Sequence, residues 1–252
     1  MIPDRHRRWL ILPMASLLFL MSMFYRASVA VITPDLIRDI GLDARGLSLI
    51  SAAFFYAFAF MQIPISMYLD GIGPRLSMTV LSLLAVAGAL IFAWGNSLST
   101  LVFGRILMGA GMACNLMGTF KLIALWFDPL RFATLSAFVI SIGTAGNITA
   151  ATPLVLAVQS IGWRLTFTAF SVINLMLAVL FFVVVRDRPQ SVDGGAPSLA
   201  ASTNLREILS TLRQLFREKD YWIISLGTFC RYGIFASVQA LWAGPYLMTV
   251  IG

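Results

Sequence analysis

The sequence predicts an all-α fold of several membrane-crossing helices, a polytopic membrane protein. Three observations carry that reading. The chain has 252 residues, 59% hydrophobic and only 12% charged, where a soluble domain carries about 25% charged residues. Its mean hydropathy is +0.88. The apolar residues fall in seven runs, at 9–31, 47–69, 76–95, 100–127, 132–158, 164–185 and 221–250, each longer than the roughly 18 residues that an α-helix needs to cross a bilayer.

The first run follows a tail carrying Arg5, Arg7 and Arg8. With Ser28-Val29-Ala30 near its end it has the outline of a secretory signal. It is too long for a signal and contains Arg26, so it reads as an uncleaved first span. Residues 33–46 form a loop with Asp35, Arg38, Asp39, Asp43 and Arg45. Spans 2 and 3 are joined by Ser66 to Leu76, where Gly71, Gly73 and Pro74 make a tight connection, because Gly accepts positive φ and Pro fixes φ. Asp70 and Arg75 are its charges. An acid at the end of one helix and a base at the start of the next oppose the helix dipoles, so both require partners elsewhere. Residues 96–99 turn the chain into span 4. Asp128-Pro129-Leu130-Arg131 leads to span 5, and residues 159–163 to span 6.

Residues 186–220 are polar. Their centre has the Gly/Ser/Pro composition of a flexible linker, and residues 205–217 place apolar side chains at helical spacing between bases, an amphipathic helix for the membrane surface. The expected domains are a six-span bundle over 1–185, a linker over 186–220, and span 7 opening a second bundle over 221–252. Arg5, Arg7, Arg8, Arg75, Arg131, Arg186, Arg188, Arg206, Arg213, Arg217 and Lys219 lie in connections on one side, against Arg38, Arg45 and Arg164 on the other. The excess of bases marks the cytoplasmic side. It places the N-terminus, the 66–76 loop and the linker in the cytoplasm, with the protein in the plasma (inner) membrane.

Several function classes find no support. The net charge of +7 comes from bases at span ends, where they set orientation, and does not suggest nucleic acid. Cys114 and Cys230 lie in apolar runs and read as small buried hydrophobes. The single histidine, His6, is in the N-terminal tail. With no paired carboxylates, nucleophile–base set or metal-ligand cluster, the chain reads as neither an enzyme nor a cofactor or metal protein.

The informative chemistry is inside the spans. Arg26, Arg105, Lys121 and Arg231 lie within them, and no Asp or Glu does. Ionisable groups in membrane spans are costly and mark pathways. Cations in a polar cavity attract anions, and Arg adds a planar fork for carboxylate or phosphate. Arg26 and Arg231 are the leading ligand candidates, with Tyr25 beside Arg26. Lys121 is close enough to a span end to snorkel to the headgroups. Spans 4 and 5 carry Gly111, Asn115, Gly118, Gly143, Gly146 and Asn147 at close spacing. The glycines suit helix packing, and Asn115 and Asn147 are the cavity-lining candidates.

The 66–76 loop resembles the signature loop between spans 2 and 3 of the major facilitator superfamily, G-x-x-x-D-[RK]-x-G-x-[RK]. Asp70, Gly73 and Arg75 match it; Ser66 and Gly71 depart from it. Arg105-x-x-x-Gly109-x-Gly111 in span 4 and Gly162-Trp163-Arg164 at span 6 are also similar to family patterns. The resemblance implies a six-helix bundle of 3+3 inverted repeats, half of a twelve-span fold, with five spans still to follow. It implies that Asp70, Gly73, Arg75, Arg105 and Gly109 act in gating, with Asp70 and its base latching two bundles in one access state. Residues 25–30 with Pro34-Asp35-Leu36, and Arg231-Tyr232-Gly233-Ile234, resemble spans 1 and 7 of the organophosphate/phosphate antiporters and, for span 1, the anion–cation symporters. That likeness implies an anion held between two arginines. The expected partners are membrane lipid, a small anionic substrate and a coupling ion. The expected function is secondary transport of a phosphorylated or carboxylated metabolite by alternating access. A half-transporter serving as a non-transporting assembly partner or regulator stands as the alternative.

Overall fold

The computed structural model describes residues 4–187 and 214–237. These are helical with short connections, and no strand occurs among them. The chain forms two compact units, Met1–Ala201 and Ser202–Gly252.

In the first unit α1 runs over Asp4–Ile40, α2 over Ala44–Gly71 and α3 over Pro74–Trp94. The loop expected over 33–46 shrinks to three residues, because α1 continues through Pro34. Pro34 removes one backbone bond, but burial of Ile32 and Leu36 on the same face holds the last turns in place. The helix stops at Gly41, whose N–H bonds back to the Ile37 carbonyl at 2.9 Å. Asp43 then caps α2, accepting from Gly46 N at 2.7 Å. The turn between α2 and α3 is Ile72-Gly73, and Gly73 has φ 93°, a conformation that a side chain would strain.

Span 4 is broken. α4 covers Leu98–Met112 and α5 covers Asn115–Trp126. Side chains from neighbouring helices meet the carbonyls at the break: Ser22 donates to Met112 O at 3.2 Å, and Gln62 to Ala113 O at 3.5 Å. This is the insertion of polar groups into the backbone ladder that ordinarily kinks helices. A single 3₁₀ turn, Pro129–Arg131, leads into α6 at Phe132–Thr149. A second break at Ala150-Ala151 precedes Pro153, which has no N–H to bond back across it and so stands in the first turn of α7. α7, Thr152–Val184, is interrupted at Gly162, with φ 79°. At roughly 1.5 Å per residue an unbroken helix of that length would far exceed a bilayer. The two arms lie against different neighbours. Val155, Val158 and Gln159 face Pro34 and Arg38 of α1. Past Gly162, Arg164 bonds to Ala93 at the end of α3, and Asn174 bonds to Ser82 farther down it. The predicted turn at 159–163 is therefore this interruption.

The chain thus traverses the bundle six times, and six helical runs among the described residues are long and apolar enough to cross a membrane. α4 and α5 run antiparallel to α1 in a register set by hydrogen bonds. Arg105 bonds to Tyr25 O, Asn115 to Leu18 O, and Thr119 to Ala15 O. α3 and α4 touch through Gly88 and Gly104, and Gly111 lies on the backbone of Leu81 and Ala85. Small residues at such crossings are what allow membrane helices to approach closely.

In the second unit α8 covers Lys219–Ser237, and Trp222 donates to Phe216 O at 2.9 Å. Residues 188–213 of the linker expected over 186–220, most of the proposed amphipathic helix and the later part of span 7 lie outside the described residues.

Candidate functional site

Two guanidiniums share one level of the first unit. Arg26 of α1 is partly buried, with its guanidinium 4.9 Å from the centre of the Phe55 ring. Arg105 of α4 is 1% exposed, donates to Tyr25 O at 2.8 Å, and lies 4.5 Å from the Phe54 ring centre. Neighbouring rings of α2 therefore support both charges, a cation–π arrangement that strengthens as water is excluded. Gly109, one turn after Arg105, rests on the backbone of Phe54, and any Cβ there would collide with it. The R-x-x-x-G spacing is thus a packing solution that lets α2 lie close enough for Phe54 to cover Arg105.

Of the other ligand candidates, Tyr25 is fully buried, with Phe24 and Phe167 as ring neighbours. Its hydroxyl has no hydrogen-bond partner among the described residues. Asn115 is also buried. Its amide donates to Leu18 O at 3.0 Å, while its Oδ1 has no partner among the described residues. Asn147 is partly buried on α6, next to Gly146, which packs on the Leu20 backbone. Arg231 is exposed on α8 in the second unit. Lys121 is not with Arg26. The α1–α5 register puts it level with about residue 14, some 18 Å below Arg26 at 1.5 Å per residue.

Lys121 instead meets the signature loop. Its Nζ donates to Asp70 Oδ1 at 2.5 Å and to Leu69 O at 2.6 Å. On the other side of the turn, Arg75 N donates to Asp187 Oδ1 at 2.7 Å, and the Asp187 carboxylate lies against Gly73. Arg75 Nε donates to Phe182 O at 2.9 Å, with the guanidinium 4.2 Å over the Phe182 ring. This resolves the charge reversal noted in the sequence. The acid that complements the start of α3 is Asp187, and the base that complements the end of α2 is Lys121; each arrives from a distant part of the chain. Asp187 went unnoticed in the sequence, although it is the first acid after span 6.

At the opposite end, Trp163 Nε1 donates to Asp39 Oδ2 at 2.9 Å, and Arg38 bridges Asp35 and Asp39 at 2.8 and 3.0 Å. Arg164 donates to Ala93 O, Gly95 O and Asn96 Oδ1. The Gly162-Trp163-Arg164 motif thus reverses the chain, pins α1 and closes the carbonyl end of α3. A cleft of about 600 Å³ lies between this end of α1 and the first arm of α7. No group of three or more His, Cys, Asp or Glu that could hold a metal occurs among the described residues.

Comparisons with known proteins agree with this architecture. Residues 14–252 match the family model of the Major Facilitator Superfamily. The chain is 24% identical to a probable sulfoacetate transporter, SauU, of Cupriavidus necator, over 97% of this chain and 58% of the relative. It is 24% identical to the hexuronate transporter of Escherichia coli K12, with the same coverages. The fold matches a bacterial homologue of the human lysosomal transporter Spinster, crystallised inward-facing and unoccupied, with TM-score 0.67 and 19% identity, over 98% of this chain and 56% of that one. The chain therefore spans a little under three fifths of the length of these two curated relatives. The helical architecture, the signature loop and the match over nearly all of its length establish that this integral membrane chain belongs to the Major Facilitator Superfamily.

Proposed function

We propose that the protein is a secondary active transporter that moves a small organic anion across the inner membrane by alternating access. One observation carries the reading. Arg26, a partly buried residue at mid-membrane depth, sets its guanidinium beside the Phe55 ring at the level of Arg105, so that two planar cations share one level of the bundle. Such a site favours an anion, and a planar fork favours a carboxylate, sulfonate or phosphate. The relatives named for sulfoacetate and hexuronate carry anionic substrates of this kind, which supports the reading. In it, Arg26 is an anion ligand of the first unit and Arg231 an anion ligand of the second. Lys121 serves anions at the end of the bundle that carries the signature loop. Tyr25, Asn115 and Asn147 join the lining when the helices rearrange. Asp70, Gly73, Arg75, Arg105 and Gly109 set the conformational equilibrium, and a coupling ion drives the cycle.

The test is uptake by cells expressing the native gene, competed with hexuronates, sulfonated and phosphorylated acids, neutral sugars and cationic drugs. Competition by anions alone is the expected result. Preference for a neutral or cationic compound would remove the anion and leave the fold.

Orientation is tested separately. In a Cys230→Ser background, a cysteine at Gly71 should react with an impermeant thiol reagent only from the cytoplasmic face, and one at Ser99 only from outside. Gly71 has open space where a side chain would begin, and Ser99 is exposed, so neither change disturbs packing. The opposite labelling pattern would invert the topology drawn from the basic residues.

A further inference from the structure

We propose that Asp70 is a built-in competitor for Lys121: its carboxylate takes the place that a carboxylate of an entering anion would take, so that anion binding releases the signature loop. This rests on the anion reading above. Lys121 and Asp70 line a cleft of about 260 Å³ between α2 and α5, together with Gln62 and Ser66. The ammonium has three donors, one more than its bonds to Leu69 O and Asp70 use. The Leu69 bond keeps Lys121 at the cleft when Asp70 lets go.

Asp70 is the mobile partner for two reasons. It stands in the last turn of α2, where the helix dipole disfavours a carboxylate. Its side chain is 52% exposed, against 27% for Lys121, so it can leave into water while the lysine stays. A pair this exposed contributes little net stability, and exchange with an external carboxylate is therefore close to balanced. Gln62 adds a neutral donor on the same wall, since its amide has two N–H groups and the bond to Ala113 O uses one of them.

The exchange predicts an effect opposite to that of a simple binding residue. In equilibrium binding to the purified native gene product, with D-glucuronate, sulfoacetate and inorganic phosphate as probes, Asp70→Asn should tighten the best-bound anion about two- to five-fold, the scale of a part-exposed ion pair. The gain should vanish in a Lys121→Gln background, shrink at high salt, and be absent for D-glucose. Anion binding to the wild type that Asp70→Asn leaves unchanged or weakens would overturn the exchange and spare the anion reading. A gain that survives Lys121→Gln would also overturn it, placing the effect in the bundle equilibrium. Failure of all three anions to bind either protein would remove both.

Discussion

Arg26→Lys is expected to weaken anion binding by about ten- to hundred-fold although the charge is kept. A hydrogen bond to a charged group contributes roughly 1.5–3 kcal/mol, and Lys cannot offer the paired, planar donors that grip both oxygens of a carboxylate. The Phe55 ring contact is worth only about 0.5–1 kcal/mol at a solvated site, so the lost fork, rather than the lost stacking, decides the result. Arg26→Ala should do at least as much damage. If Arg231 is an anion ligand as well, Arg231→Lys should have a similar effect. The measurement is binding or competed uptake by the native gene product, beside its thermal stability in detergent. Arg26→Lys with wild-type affinity for the preferred anion, in a folded protein, would remove Arg26 from the site.

Six of the seven expected spans and their order were legible because hydropathy reports burial in lipid directly, and those six runs reappear as membrane-length helices or helix pairs. Their ends and interruptions were less legible. Continuation of α1 through Pro34 depends on Ile32 and Leu36 finding a core. The break after Met112 depends on Ser22 and Gln62 reaching its carbonyls from other helices. A hydropathy profile contains neither. The loop charges were marked in the sequence as lacking local partners, and that inference was sound. Their actual partners, Lys121 for the Asp70 carboxylate and the Phe182 carbonyl and ring for the Arg75 guanidinium, lie 51 and 107 residues away, and only the fold brings them together. The position of Lys121 near a span end was legible in the sequence, and in the fold it sits at a different level of the bundle from Arg26.

Gly111→Val is expected to destabilise the first unit strongly. A Cβ at Gly111 falls 2.5 Å from the Ala85 amide nitrogen and 2.7 Å from the Ala85 Cβ, and collides with the Leu81 carbonyl. The nearest obstacles are backbone, so no rotamer change relieves them and α3 must move away from α4. Overpacking in a dense core costs about 1–3 kcal/mol, occasionally more. Here the separation would also open the Gly88–Gly104 crossing, where each glycine approaches the other's carbonyl. In lipid, hydrophobic burial does not pull the helices back together, since their association depends on close packing itself. At about 2–4 °C per kcal/mol for a chain of this size, the melting temperature in detergent should fall by roughly 5–10 °C, or the protein should lose its monodisperse peak altogether. Gly71→Val is the control, because nothing lies within 4 Å of its Cβ position, and it should melt as the wild type does. If Gly111→Val melts with that control, the α3–α4 contact is looser than its glycines imply, and close packing is not what holds this half of the bundle.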